Sequence, residues 1–250
     1  MTNESTISKL MEMRLTAMAS AFRDQLKDRS LTNLSFEERL GLLADIEWTS
    51  RKNNRLRKLI RDAHFDQNQA CVADINYAIN RKLDKVQISR LVSCSYIQDK
   101  HNVMILGATG AGKSYLACAL GMEACKQFYS VKYIRLPDLL TELAIARGEG
   151  MIKRLLNQYQ KVNLLILDEW MLVSLKESEA RDVLEIVHGR HKKASTIFCS
   201  QFAPAGWHAK IGEATLADAI LDRIVYDSYT IEIHSEENDP SMREIYGIKD

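Results

Sequence analysis

The run Gly107-Ala108-Thr109-Gly110-Ala111-Gly112-Lys113-Ser114 fits the spacing GxxxxGK[ST]. Its glycines let the backbone curl until successive N–H groups point inward, and a helix starting at Lys113 adds positive partial charge, so the loop is suited to cradle phosphate. Lys113 supplies a point charge for β and γ phosphates, and the Ser114 hydroxyl suits a Mg2+ ion that travels with them. Farther along, the apolar run Leu164-Leu165-Ile166-Leu167 ends on two adjacent acids, Asp168 and Glu169. Sheets of α/β proteins bind ligands at the C-terminal ends of their strands. Asp168 therefore fits a Mg2+ ligand, directly or through water. Glu169, alternating to the other side of the strand end, fits a base or polariser for an attacking water. A glycine turn between strand and helix, or two solvated acids closing a core strand, would explain either group alone. Together, in a strand-loop-helix context, they read as a site for Mg-ATP hydrolysis.

Positioning these groups requires a parallel sheet. After about Asp66, short aliphatic or β-branched runs alternate with amphipathic stretches, the rhythm of βαβ units. The runs predict strands at Val103–Leu106, Val131–Leu136, Leu164–Leu167, Thr196–Ser200 and Thr230–Ile233. Helices are predicted at Lys113–Phe128, Leu139–Arg147, Met151–Gln160, Lys176–Arg190 and Leu216–Val225. The fold class is α/β: a P-loop NTPase with a five-stranded parallel sheet flanked by helices over residues 69–250, preceded by a small all-helical domain over residues 1–68. In that first domain Met11, Leu15, Met18, Phe22 and Leu26 mark one face of a helix from Lys9 to Leu26, to be covered by the domain's own second helix or by a sister protomer. Ser35 and Glu38 form a capping-box pattern, from which a second helix runs towards His64. Along it stand Arg51, Lys52, Arg55, Arg57, Lys58 and Arg61 without an intervening acid, and Arg51, Arg55 and Lys58 share a face. Composition alone reads this stripe equally as a solvated helix face or as a set of contacts to DNA phosphates.

The chain has 250 residues, 46% of them hydrophobic, enough for a sizeable core, and few prolines or glycines. Its 34 Lys plus Arg against 33 Asp plus Glu exclude a wholly basic or acidic protein, so any nucleic-acid surface is local. The five cysteines, Cys71, Cys94, Cys118, Cys125 and Cys199, are scattered without metal-ligand spacing and read as reduced, mostly buried thiols. Charges among the first residues argue against a signal peptide, and no apolar run is long enough to span a membrane, so a soluble cytoplasmic protein is expected. The six histidines, including His188 and His191 at i, i+3, read as surface residues, and Trp48, Trp170 and Trp207 as packing anchors.

With these residues in view the chain resembles the AAA+ ATPases, and within them the IstB-like helper ATPases of insertion-sequence transposition, relatives of the DnaC-type helicase loaders. The resemblance covers nearly the whole chain. It rests on the glycine loop, the Leu-Asp-Glu strand end, Thr196–Gln201, the run from Ala214 to Ile224, and Ser241-Met242-Arg243. It implies a sensor 1 role at Gln201, with Ser200 as the neighbouring possibility, an arginine finger at Arg223 that enters a neighbouring subunit's site, and a sensor 2 role at Arg243. The family usually has Gly-Glu-Ser-Met-Arg, whereas Asp239-Pro240 precede Ser241 here, so the approach to Arg243 differs in shape. Seven residues follow Arg243, which leads us to expect a minimal C-terminal lid, with adjoining protomers closing the nucleotide. The implied function is an ATP-dependent, largely sequence-nonspecific DNA-binding ATPase that forms homo-oligomers on double-stranded DNA and recruits or stimulates a transposase. The resemblance tips the basic stripe towards DNA. A helicase loader is the alternative. A metabolic kinase would use the same loop, yet the sequence offers it no evident acceptor pocket.

Overall fold

The computed structural model describes residues 2–77, 81–234, 241–242 and 244. The chain divides into two compact units, Met1–Lys58 and Leu59–Asp250.

The first unit is helical: α1 (Asn3–Glu12), α2 (Thr16–Gln25), a 3-10 turn at Arg29–Asn33, and α3 (Phe36–Ala63), whose residues from Leu59 onward belong to the second unit. The single helix expected over Lys9–Leu26 is in fact two. Arg14 adopts a left-handed φ of 59°. The Arg14 N–H donates to Met11 O at 2.9 Å and the Leu15 N–H to Leu10 O at 2.9 Å, closing α1 in a Schellman turn. That turn normally carries glycine, and its absence hides the break. Leu15 offers no side-chain cap to α2. Glu47, buried on α3, supplies one instead by accepting from the Met18 N–H at 3.0 Å. The Arg51 guanidinium, 2.7 Å from Glu47, holds that carboxyl below the usual range. α3 itself starts at the expected capping box: Ser35 N–H donates to Glu38 Oε2 at 2.8 Å and Glu38 N–H to Ser35 Oγ at 3.2 Å.

The second unit holds a wholly parallel sheet. Its strands are β1 (Asn102–Gly107), β2 (Val131–Arg135), β3 (Leu164–Asp168), β4 (Ser195–Ser200) and β5 (Ser228–Ile233), in the order β2-β3-β4-β1-β5. Its helices are α4 (Lys85–Val92), α5 (Ser95–Gln98), α6 (Lys113–Lys126), α7 (Leu136–Gly148), α8 (Ile152–Lys161), α9 (Glu177–Arg190), α10 (Pro204–Ile211) and α11 (Ala214–Val225), with a 3-10 turn at Val72–Asp74. β3 and β4 are buried at every position, as a sheet covered on both faces requires. Met104, Ile134, Leu165, Leu167 and Phe198 face a core completed by α7 to α11. α6 covers the opposite face so closely that a Cβ on Gly121 would lie 2.5 Å from Phe65 and 2.9 Å from Ile166. All five strands were expected. Leu136, expected to end β2, instead opens α7, because Pro137 in the first helical turn fixes a helical φ without losing a hydrogen bond.

Candidate nucleotide site

β1 delivers the glycine loop to the C-terminal edge of the sheet, and α6 begins at Lys113 directly behind it. Gly110 and Gly112 have φ of 78° and 95°, the left-handed values that curl the loop. Gly112 caps α6 without a side chain, so the N–H groups of Lys113, Ser114 and Tyr115 have no intrahelical acceptor and no side-chain cap. At Gly107 a Cβ would stand 2.8 Å from the Ile233 carbonyl, so only glycine lets the loop pass the end of β5. The Lys113 ammonium donates to Gly107 O and Ala108 O, both at 2.8 Å. Burial lowers its pKa, while Cys199 and Asp168 pull it back up.

Asp168 closes β3 and is buried, beside Arg135 of β2 in register. Its Oδ2 accepts from the Tyr133 hydroxyl at 2.7 Å and its Oδ1 from the Glu169 N–H at 2.7 Å. Burial first, then the charge of Asp168, raises the Tyr133 phenol far above its ordinary value, so it stays protonated and donates. Glu169 turns out of the strand with a left-handed φ of 53°, half-exposed, 3.8 Å from the Arg135 guanidinium, which also holds Asp138 at 2.8 Å. Beneath this turn Trp170 packs edge-on against Phe198 and Trp207, at centroid distances of 4.7 and 5.9 Å.

The structure separates the two residues that compete at the end of β4. Gln201 is exposed and its Oε1 accepts from Thr109 Oγ1 of the glycine loop at 3.0 Å. Ser200 is buried and engaged, donating to Trp170 O at 2.8 Å and accepting from Trp207 Nε1 at 3.0 Å and the Phe202 N–H at 3.1 Å. Arg223 lies elsewhere. It is near the end of α11, just before β5 starts opposite Asn102 at the first residue of β1, and its carbonyl is 3.3 Å from His191 Nδ1. About 17 Å of strand, at roughly 3.3 Å per residue, separates that edge from the loop. Its guanidinium donates to Ala219 O of its own helix at 2.6 Å. Arg243 lies outside the described residues. Its neighbour Met242 donates its N–H to Gly110 O at 2.9 Å, and a Cβ on Gly110 would meet Ser241 Cβ at 2.7 Å.

The six cations from Arg51 to Arg61 are all exposed. Arg51 is held by Glu47 and donates to Arg14 O at 3.0 Å, and Arg61 pairs with Asp62 at 3.1 Å. Lys52 lies 3.7 Å over the ring of Trp48, which is 59% exposed and so does not anchor a core as expected; Trp170 and Trp207 are fully buried. Four cysteines are buried and Cys71 half-buried, and burial pushes the Cys118 and Cys125 thiols up to about 12.

Sequence reasoning passed over Arg81 and Tyr133. Arg81 is buried, its guanidinium donating to Ala111 O at 2.8 Å within the glycine loop, and its carbonyl accepting from the His234 N–H at 3.1 Å. Neither belongs to a local motif. The residues present fit a magnesium nucleotide: an uncapped helix N-terminus, a cradle closed to any Cβ, and one hydroxyl and one carboxylate for the ion. Among the described residues no cluster of three His, Cys, Asp or Glu side chains forms a cage for a resident metal, and Mg2+ characteristically binds through few protein ligands plus phosphates.

A family model for the IstB-like ATP binding protein matches residues 8–244. The chain belongs to that family. Among its relatives, the insertion sequence ATP-binding protein y4pL of Sinorhizobium fredii is 42% identical over 231 residues, covering 92% of this chain and 94% of that protein. Among solved structures, DnaI matches with a TM-score of 0.56 at 22% identity, over 75% of this chain and 93% of that one. DnaA bound to AMPPCP and single-stranded DNA matches with a TM-score of 0.51 at 22% identity, over 62% and 47%. The fold shared by this IstB-like chain and these proteins is the AAA+ P-loop fold, and no described helix is long and apolar enough to cross a membrane.

Proposed function

We propose that this IstB-like protein is a Mg-dependent ATPase that assembles on double-stranded DNA in its ATP-bound form and recruits or stimulates a transposase. The observation that carries this reading is the gathering of the glycine loop, Asp168, Glu169 and Gln201 at one edge of the sheet, with Arg223 left at the other.

The backbone N–H groups at the start of α6 receive the β and γ phosphates, and the Lys113 ammonium exchanges two loop carbonyls for anionic oxygens. Ser114 and Asp168 would hold Mg2+, whose charge would serve to neutralise the phosphate oxygens. Glu169 accepts the proton of the attacking water, and Gln201 orients that water or the γ-phosphate from beside Thr109. A loose transition state gains most from further cations. Arg223 of a neighbouring protomer supplies one, which makes hydrolysis depend on assembly, and Arg243 supplies another from the C-terminal side. Arg51, Lys52, Arg55, Arg57, Lys58 and Arg61 give DNA affinity without reading sequence. The insertion-sequence description of its relatives supports a transposase as partner, with hydrolysis releasing the assembly.

Glu169→Gln tests this directly. The variant should bind ATP as wild type does, lose turnover, and remain on duplex DNA as a large particle by light scattering. A variant that still hydrolyses ATP, or that never assembles with ATP and DNA, contradicts the proposal. ATP-dependent capture of a replicative helicase in place of the transposase would favour the loader reading.

A further inference from the structure

Tyr133 stands in the middle of β2, opposite Ile166 in register and diagonal to Asp168 on the face that α6 covers. It is 7% exposed and Asp168 is 4% exposed, so the 2.7 Å hydrogen bond between them is sealed from water. Nothing in the phosphate-loop chemistry demands a hydroxyl there. Phenylalanine would fill the same space in the sheet, and the one difference is the donor aimed at Asp168 Oδ2. The other carboxylate oxygen is held as firmly, by the Glu169 N–H at 2.7 Å. A carboxylate has about four lone-pair sites. One on each oxygen is taken by the protein, which fixes the plane of the group and leaves one on each for a cation.

We infer that Tyr133 is a positioning residue for Asp168, setting the carboxylate that receives the divalent ion of the nucleotide complex. This rests on the ATPase reading and extends it to a residue on a different strand, 35 positions away in the chain. Partners that orient a metal ligand typically contribute about 10–100-fold in metal affinity, and that is the effect expected here.

The test is Mn2+ binding to the full chain with ATP, read by electron paramagnetic resonance, beside ATP binding in excess EDTA. Tyr133→Phe should bind ATP in EDTA as wild type does and bind Mn2+ at least about tenfold more weakly. A second comparison removes the effect of any general damage to the fold. In an Asp168→Asn background, adding Tyr133→Phe should change Mn2+ affinity by less than about twofold, since the partner it positions is gone. Unchanged Mn2+ affinity in Tyr133→Phe overturns the inference, as does an equal loss in both backgrounds. Wild-type protein that binds neither ATP nor Mn2+ overturns the ATPase reading, a result distinguishable from either.

Discussion

Ser200 and Gln201 are neighbours in sequence with opposite fates, and they make separable predictions. Ser200 joins Trp170, Phe202 and Trp207 through its single hydroxyl, so Ser200→Ala strands the buried Trp170 carbonyl and removes an acceptor from the Phe202 N–H, while the Trp207 indole keeps its 2.7 Å bond to Phe202 O. Unfolding in urea should show a loss of about 1–3 kcal/mol. Gln201→Ala removes an exposed amide whose contact is to Thr109, so stability should stay within about 0.5 kcal/mol of wild type while turnover falls. Equal stability losses in both variants would place Gln201 in the scaffold. The glycine loop and the Asp168–Glu169 pair were legible in the sequence because contiguous residues carry their chemistry. Arg81 and Tyr133 were not, because their contacts to Ala111 and Asp168 cross 30 and 35 residues and no local pattern marks either one.

At the level of elements, the strands could be read as unbroken aliphatic runs because a parallel sheet covered on both faces needs no polar alternation. Their spatial order could not, since each crossover returns to the same edge whichever neighbour it finds. α10 escaped notice because Pro204-Ala-Gly-Trp has no apolar period, and the α1–α2 break because Arg14 sits where glycine would announce it. The corner of α8, α9 and β4 depends on the fully buried Arg190, which donates to Tyr159 O at 2.7 Å, Val162 O at 2.9 Å, Thr196 Oγ1 at 2.9 Å and Ser195 O. Arg190→Met removes all four of these bonds, three of them buried, so chemical unfolding should show a loss of about 3 kcal/mol or more. A loss under about 1 kcal/mol would mean that water replaces the guanidinium there. On α3, replacing Arg55, Arg57, Lys58 and Arg61 by alanine should flatten the salt dependence of duplex binding by about one unit of slope per lost phosphate contact. An unchanged slope removes this helix from the DNA interface. Arg51 is better tested by stability, since it ties Glu47 to Arg14.

For the molecule as a whole, Arg223 lies at the sheet edge away from its own glycine loop, and the proposed role for it in a neighbour's site would make ATP hydrolysis a property of a pair of chains. Two defective variants can then complete one another. Glu169→Gln retains a good Arg223 but a dead site, and Arg223→Ala retains a good site but cannot serve its neighbour. The decisive measurement is ATP turnover on duplex DNA for each variant alone and for their equimolar mixture. Each alone should be inactive and the mixture should regain turnover, because half of its mixed contacts pair an intact site with an intact arginine. A mixture that co-assembles by light scattering yet stays inactive, or an Arg223→Ala protein as active as wild type, would contradict the shared site.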